Sequence, residues 1–360
     1  MSALNGGVFE GGRTDENAEL RALVDDIGQR SVDARSGHRG LPQDFDDALW
    51  RNLVETGLDR LNRADELGAG PTELAIVLRG LARHAGAVPL AETDLLAAWL
   101  GDKAGIELPD GPLTVALCAA SAQDGRVVGT AQDVPWLGAA AAVLLAARTS
   151  NNLHVVLLDP ADLDTSDGHN LAGEPRSSFE FALPAELFVV MDTATAEQLT
   201  RRGAWARCVQ IIGALDAAAE LTVSHTRQRM QFGRPLSKFQ AVQHSLAEMA
   251  GEIERARAAT TLAVAAAADH GFDTPETDYA LTVAKVVVGQ AVHTVVTLAH
   301  QLHGAIGVTI EHPLWLATMR ARSWVDEFGS TGWYARRLGQ LVLAATDPWD
   351  ALIGNGFGGC

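Results

Sequence analysis

The stretch from Arg201 to about Arg337 limits what this chain can fold into more than any other. Apolar residues recur there at threes and fours. Val209, Ile212, Leu215, Ala219 and Leu221 mark a helix from Ala204 to Gln228, and Thr193–Glu197 resembles a helix entry ahead of it. Val242, Leu246, Met249, Ile253 and Ala256 mark a second, from Phe239 to about His270. Val283, Val287, Ala291, Val295, Leu298 and Leu302 mark a third, from Glu276 to His303. This is the period of an amphipathic α-helix. Gly233 and Pro235 break the chain between the first two, and connections this short make neighbouring helices antiparallel. The spacing predicts a helical bundle of the four-helix type. Its alanine-rich faces permit close helix approach and suit a face shared with another subunit.

Upstream the texture is different. Helices are expected over 19–34, from Asp44 to about Leu58, and from Thr72 to about His84 with Pro71 in the first turn. Another follows Pro89, with Leu90, Leu95, Leu96, Trp99 and Leu100 as core candidates. After Glu107–Pro112 come short runs rich in Val and Leu, separated by Gly, Asp, Asn and Pro: Leu113–Cys118, Arg126–Gly129, Ala142–Ala147, Leu153–Leu158, Ser178–Ala182 and Leu187–Val190. These read as strands. The alanine run at 139–147 reads as helix or strand, and the turn signals around it favour strand. The resulting α+β organisation is an N-terminal helical domain over 1–105, a small β domain over 106–191, a helical bundle over 192–345 and a flexible tail over 346–360.

Composition excludes several classes of function. The net charge of -17 disfavours a nonspecific nucleic-acid binder, because that affinity comes from Lys and Arg neutralising phosphate. It leaves room for an anionic ligand held by a local arginine. The N-terminal residues lack a signal-peptide core, and no uninterrupted apolar run reaches the roughly 20 residues of a membrane span, so the expectation is a cytoplasmic protein without one. Cys118, Cys208 and Cys360 are far apart and form no CxxC. The first two read as buried small hydrophobes and the third as part of a glycine-rich tail. His303 and His312 read as ordinary hydrogen-bonded histidines, with no third ligand spaced to suggest a metal. Trp205, Phe232, Trp315, Trp324 and Trp333 read as core or interface aromatics.

Two phrases carry a specific signal. One is Arg229-Met230-Gln231-Phe232-Gly233-Arg234-Pro235, continuing through Phe239-Gln240-Ala241-Val242-Gln243-His244. The other is Gln301-Leu302-His303-Gly304-Ala305-Ile306-Gly307-Val308, followed by Arg320. Together with the order helices, β domain, helices, they resemble the acyl-CoA dehydrogenase family, strongly from about Gly213 to Arg320. The resemblance implies a flavin adenine dinucleotide (FAD) cleft and dehydrogenation of a coenzyme A thioester, with electron-transferring flavoprotein as acceptor. It also implies that Arg229, Phe232, Gln240, Gln301, Gly304 and Ala305 contact the diphosphate and adenosine end of FAD across a subunit interface. A guanidinium forks onto phosphate oxygens, and glycine admits close backbone approach. Ala305 stands where the family segment has a second glycine.

The chain departs from the family where chemistry is expected. The resemblance implies a carboxylate that removes the proton next to the thioester, at one of two places. Counting from Arg320, the first falls on Gly329, or on Phe328 if the glycines are aligned; the second, 26 residues before Arg229, falls on Gly203. None is a base, and Glu327 is the nearest carboxylate, with Asp326 beside it. The loop that lines the flavin ring is also missing, its nearest counterpart being Cys118–Asp124. The pattern resembles the base-lacking subunit of actinobacterial α2β2 dehydrogenases, several of which act on steroid side-chain thioesters. Two alternatives stay open: a self-sufficient dehydrogenase using a displaced carboxylate such as Glu327, and a non-catalytic scaffold without flavin.

Overall fold

The computed structural model describes residues 17–35, 40–61 and 69–349. Residues 1–16, 36–39, 62–68 and the tail with Cys360 lie outside them. The chain forms two compact units. Of the described residues, one gathers most of α1 (Ala18–Ala34), α3 (Pro71–Arg83) and residues 204–349; the other gathers residues 33–70 and 86–203.

In the second of these, α2 (Asp47–Glu55) precedes a π-helical segment, Ala91–Ala98, that runs into α4 (Trp99–Ala104). Leu90, Leu95, Leu96 and Leu100 are buried, as their spacing predicts. The Thr93 hydroxyl donates to the Leu113 carbonyl at 3.0 Å and accepts from the Leu113 amide at 2.9 Å, fastening this helix to the first strand. The sheet comprises β1 (Leu113–Gln123), β2 (Arg126–Pro135), β3 (Ala142–Arg148), β4 (Leu153–Leu158), β5 (Thr165–His169), β6 (Pro175–Pro184) and β7 (Val189–Met191). Its order is β5-β6-β2-β1-β3-β4-β7, antiparallel except for the β1–β3 pair.

The alanine run resolves as strand. The six residues Ala142 to Ala147 are all buried, so β3 is covered on both faces and carries no alternation that would separate it from a core helix. β5 was invisible in sequence because Thr-Ser-Asp-Gly-His has no apolar pattern; it is an edge strand paired only with β6. Cys118–Asp124, the stretch nearest in sequence to the flavin-lining loop, is not a loop. It is the end of β1 and the first turn residue of a hairpin, where Asp124 (φ 49°) and Gly125 (φ 72°) take the paired left-handed conformations of a tight turn. Cys118 is partly exposed rather than buried, with its thiol pushed up to about 11 by burial. Cys208 is fully buried and its thiol is pushed up to about 12.

The other unit holds α1 (Ala18–Ala34), α3 (Pro71–Arg83), most of α5 (Thr193–Gln228), α6 (Gln240–His270), α7 (Pro275–His303), α8 (Pro313–Trp324) and α9 (Thr331–Ala344). The helix entry at Thr193 and the helix from Ala204 are one continuous 36-residue element. Asp192 starts it by accepting from the Thr195 amide and hydroxyl. Buried ion pairs bind the helices: Asp216 of α5 receives Arg79 of α3 at 2.9 Å and Arg257 of α6 at 2.6 Å. Trp205 is fully buried, donates to the Ala263 carbonyl and meets Phe272 edge-on. The segment Pro275–Val308 is long and apolar enough to cross a bilayer by length and composition, which a search for unbroken apolar runs passes over. Half of its most apolar window is buried inside the fold, as in the core helix of a bundle.

α3 and α5 touch backbone to backbone at Gly213, where an added Cβ would fall inside contact distance of the Arg79 carbonyl oxygen and at 3.0 Å from the Arg83 amide nitrogen. Alanine gains about 1 kcal/mol of helix propensity over glycine, but overpacking against a main chain costs about 1–3 kcal/mol. These net to a loss of up to about 2 kcal/mol, and because the blocking atoms are backbone, Gly213→Ala is expected to fall in the upper half of that range, about 1–2 kcal/mol in denaturant unfolding. An unchanged or raised midpoint would show that the two helices can part freely.

Candidate functional site

The signature turn begins where α5 stops. The Arg229 amide closes the last helical bond onto the His225 carbonyl at 2.8 Å, and the Arg229 carbonyl accepts from the Leu236 amide at 2.9 Å. Between them Met230–Gln231 (β8) pairs with Arg234–Pro235 (β9), leaving Phe232 (φ 51°) and Gly233 (φ 79°) as the two residues of a tight left-handed turn. Glycine meets that conformation without strain. Phenylalanine is forced into it, and its ring is 90% exposed, touched on one edge by Phe239. It is not a core aromatic in this chain. Arg234 lies over Phe239 at 4.2 Å. The segment from Arg227 to Lys238 carries four cations and no carboxylate, a local reversal of the chain's acidic balance. Among the described residues no carboxylate pairs with Arg229, whose side chain is exposed.

Antiparallel packing of α6 and α7 brings the end of α7 back to the level at which α6 begins with Gln240. Gly304 then ends α7 in the left-handed region (φ 66°) with open space around it. Gln240, Gln301, Gly304 and Ala305 are all exposed. A stack of histidines ties this end to the α5 turn: His225 lies on His303 at 4.4 Å, and His312 meets His303 at 4.9 Å. Thus Arg229 and Gly304, 75 residues apart in sequence, are brought to one end of the bundle.

His303 is buried. Its Nδ1 donates to the Ala299 carbonyl at 2.9 Å, while its Nε2 has no hydrogen-bond partner. Burial, with lesser repulsion from the neighbouring imidazoles, holds its pKa down at about 4. Burial lowers His225 as well, assisted by the Arg229 charge, and it lowers His300, assisted by Arg322. Nitrogens of His225, His303 and His312 lie within 4.8 Å of one another, so these three rings could hold a metal ion. Sequence spacing supplies only the last two. His225 joins them through tertiary packing that no spacing rule reports.

None of the positions expected to hold a base holds one. Gly203 is buried within α5. Gly329 has φ 109°, and a Cβ there would stand 2.8 Å from the Tyr334 ring. The turn is pinned by the Tyr334 hydroxyl, which donates to the Phe328 carbonyl at 3.1 Å. A glutamate at 329 would be strained in its backbone and blocked in its side chain. Glu327 is engaged elsewhere: its carboxylate accepts from Arg207 Nε at 2.5 Å, and its carbonyl accepts from Lys285 Nζ at 3.0 Å. Lys285 also donates to the Val325 carbonyl at 2.8 Å, and burial lowers its pKa. This knot lashes the segment after α8 to α5 and α7.

Comparison with known proteins places the chain. The family model for the acyl-CoA dehydrogenase C-terminal domain matches residues 193–330. The acyl-CoA dehydrogenase IpdE2 of Mycobacterium tuberculosis is 32% identical over 312 residues, covering 82% of this chain and 86% of that protein. This chain belongs to the acyl-CoA dehydrogenase family. Its fold also matches a chain of the ChsE4–ChsE5 complex from M. tuberculosis, with a TM-score of 0.80 and 25% identity over 93% of this chain and 99% of that one. A chain of the Tcur3481–Tcur3483 steroid dehydrogenase, in a G363A variant, matches with a TM-score of 0.76 and 27% identity, covering 90% and 97%.

As a dehydrogenase of this family, the chain presents an exposed set of residues suited to a diphosphate and lacks a carboxylate at the places sequence counting assigns to the base. Two consequences can be measured. Glu327→Gln takes the negative charge away from the nearly buried Arg207 and is expected to cost about 2–3 kcal/mol in denaturant unfolding; a loss below about 0.5 kcal/mol would show that the pair is not structural. The second concerns pH. His303 binds its proton at about 4 when folded, against 6.5 for the unconstrained ring, so between these values the unfolded chain holds more protons than the native one. Stability contributed by this ring is complete above about pH 6.5 and is lost as pH falls toward 4. In chelator-treated protein the decline is expected to be about 2 kcal/mol across that window and to flatten in His303→Gln. Identical slopes for the two proteins would contradict it.

Proposed function

We propose that this chain is one subunit of an FAD-dependent acyl-CoA dehydrogenase built from two kinds of chain, in which it completes a cofactor site while its partner supplies the catalytic glutamate. The observation that carries this reading is the pairing of presence and loss. Arg229, Phe232, Gln240, Gln301, Gly304 and Ala305 stand exposed, while Gly203, Phe328 and Gly329 occupy the expected base positions. Residues toward the cofactor fit it. Arg229 has no carboxylate partner among the described residues, Gly304 leaves open space for a close backbone approach, and the flanking segment is cationic.

FAD would supply the hydride acceptor for removal of the β-hydrogen. The chain's own contribution is binding and orientation. Arg229 would hold the diphosphate through its guanidinium, Gly304 and Ala305 would admit it close to the main chain, and the exposed Phe232 ring would gain cover from whatever binds against it. Abstraction of the α-proton falls to the partner's carboxylate, in an assembly of the α2β2 kind. A ChsE4–ChsE5 complex among the similar structures supports a pair of unlike dehydrogenase chains. The steroid dehydrogenase among them makes a steroid side-chain acyl-CoA the first substrate to test. Electron-transferring flavoprotein is the acceptor proposed, in the cytoplasm. The Arg207–Glu327 pair argues against the self-sufficient reading, since the nearest carboxylate is already committed to holding the fold.

The test is Arg229→Ala in the co-expressed assembly. A charge-assisted contact of this kind is worth roughly 1.5–3 kcal/mol, so flavin affinity is expected to fall about 10- to 150-fold with the assembly intact. Wild-type flavin retention in the variant would remove Arg229 from the site.

A further inference from the structure

The histidine cluster has a character of its own. His225 comes from the last turns of α5, His303 ends α7, and His312 caps α8, so three separate elements converge on one point. His303 decides what that point can do. It is 6% exposed, its Nδ1 proton is spent on the Ala299 carbonyl, and its buried Nε2 is left with a lone pair and no donor to fill it. Backbone anchoring of one imidazole nitrogen, with the other bare and facing further imidazoles, is how proteins orient histidine toward a metal.

We propose that His225, His303 and His312 form a three-histidine site for a divalent transition-metal ion of the zinc type. Imidazole-only ligands favour such ions over magnesium and calcium, and three of them leave a fourth tetrahedral position to water. The ion ties the ends of α5, α7 and α8 together beneath the turn that carries Arg229. Holding these three ends together stabilises the fold, and the site stands or falls independently of the cofactor reading above.

Two features limit the affinity. The rings of His225 and His303 lie nearly parallel, 24° apart, and must swing for both lone pairs to meet one ion. His312 Nδ1 accepts from the Leu314 amide at 3.1 Å. A neutral ring has one proton for two nitrogens, so ligation by His312 costs that cap. Arg229 adds an unfavourable charge near His225. His303 is therefore the principal ligand, and His312 the weakest.

The experiment uses the full-length chain without an affinity tag, stripped with chelator and dialysed against zinc. One ion per chain is expected, with a rise in melting temperature. His303→Gln should weaken binding about 100-fold and His312→Ala about 10-fold, while the double replacement of the exposed His169 and His244 by Gln leaves it unchanged. Cobalt substitution gives a reading that needs no variant: a tetrahedral imidazole site produces strong visible absorption. Absence of that absorption, or zinc binding by His303→Gln equal to that of the wild type, would overturn the proposal.

Discussion

The bundle depends on one buried charge. Asp216 sits midway along α5 and is held by Arg79 from α3 and Arg257 from α6, so three helices are fixed by a single carboxylate. Burial alone would weaken the Arg257 charge; Asp216 and Glu254 more than offset it and raise its pKa. Apolar replacements can match such a cluster in stability, but loss of one member leaves buried charge without a partner. Around Asp216 the packing is close. Gly213, less than one turn earlier, lies against the α3 backbone, and Trp205 anchors α5 to α6 two turns before that. The helix so held ends in the turn at Arg229 and carries His225 into the histidine stack. The exposed turn, with Phe232 at φ 51°, is thus carried on the end of a helix that packs against two others.

The same economy explains why the base positions are not simply vacant. Gly329 takes a left-handed conformation with the Tyr334 ring across the place where a side chain would start. Arg207, Lys285 and Glu327 use their charges to hold the segment around it. A single substitution to glutamate at 329 meets a backbone and a packing arrangement built for glycine. The absence of a carboxylate at these positions is embedded in the local structure, which on the proposed reading fits division of labour between two chains better than a displaced base within one.

The bundle was legible in the sequence because its helices are long and their apolar positions repeat many times. Val209, Ile212, Leu215 and Ala219 of α5 are buried where the spacing expects them, whereas in α7 only Ala291 and Val295 of the expected stripe are buried; Val283, Val287, Leu298 and Leu302 are half-buried, and the core face is offset toward Leu281, Ala284, Val288 and Val292. The break at Thr193–Ala204 was misread because Gly203 and two arginines interrupt the stripe, although tertiary packing carries the helix through. The sheet was legible in outline and less so in extent. β1 and β2 run longer than their apolar cores, and β5 has no apolar pattern to find. The candidate site entered through two phrases that resemble the family, and what the structure adds is their local form: Arg229 follows the end of α5 at a tight turn and Gly304 ends α7. His225 was not legible, since its neighbours come from helix packing across about 80 residues. The commitment of Glu327 to Arg207 was hidden for the same reason.

The central claim, that this chain completes a cofactor site in a dehydrogenase whose base lies on another chain, is tested most directly by native mass and visible absorption. The chain should be measured alone and co-expressed with a dehydrogenase-like chain that carries the glutamate. The account predicts a colourless preparation alone and a yellow assembly of unlike chains that bleaches on addition of an acyl-CoA substrate. A yellow homo-oligomer of this chain alone, bleached by the same substrate, would contradict it.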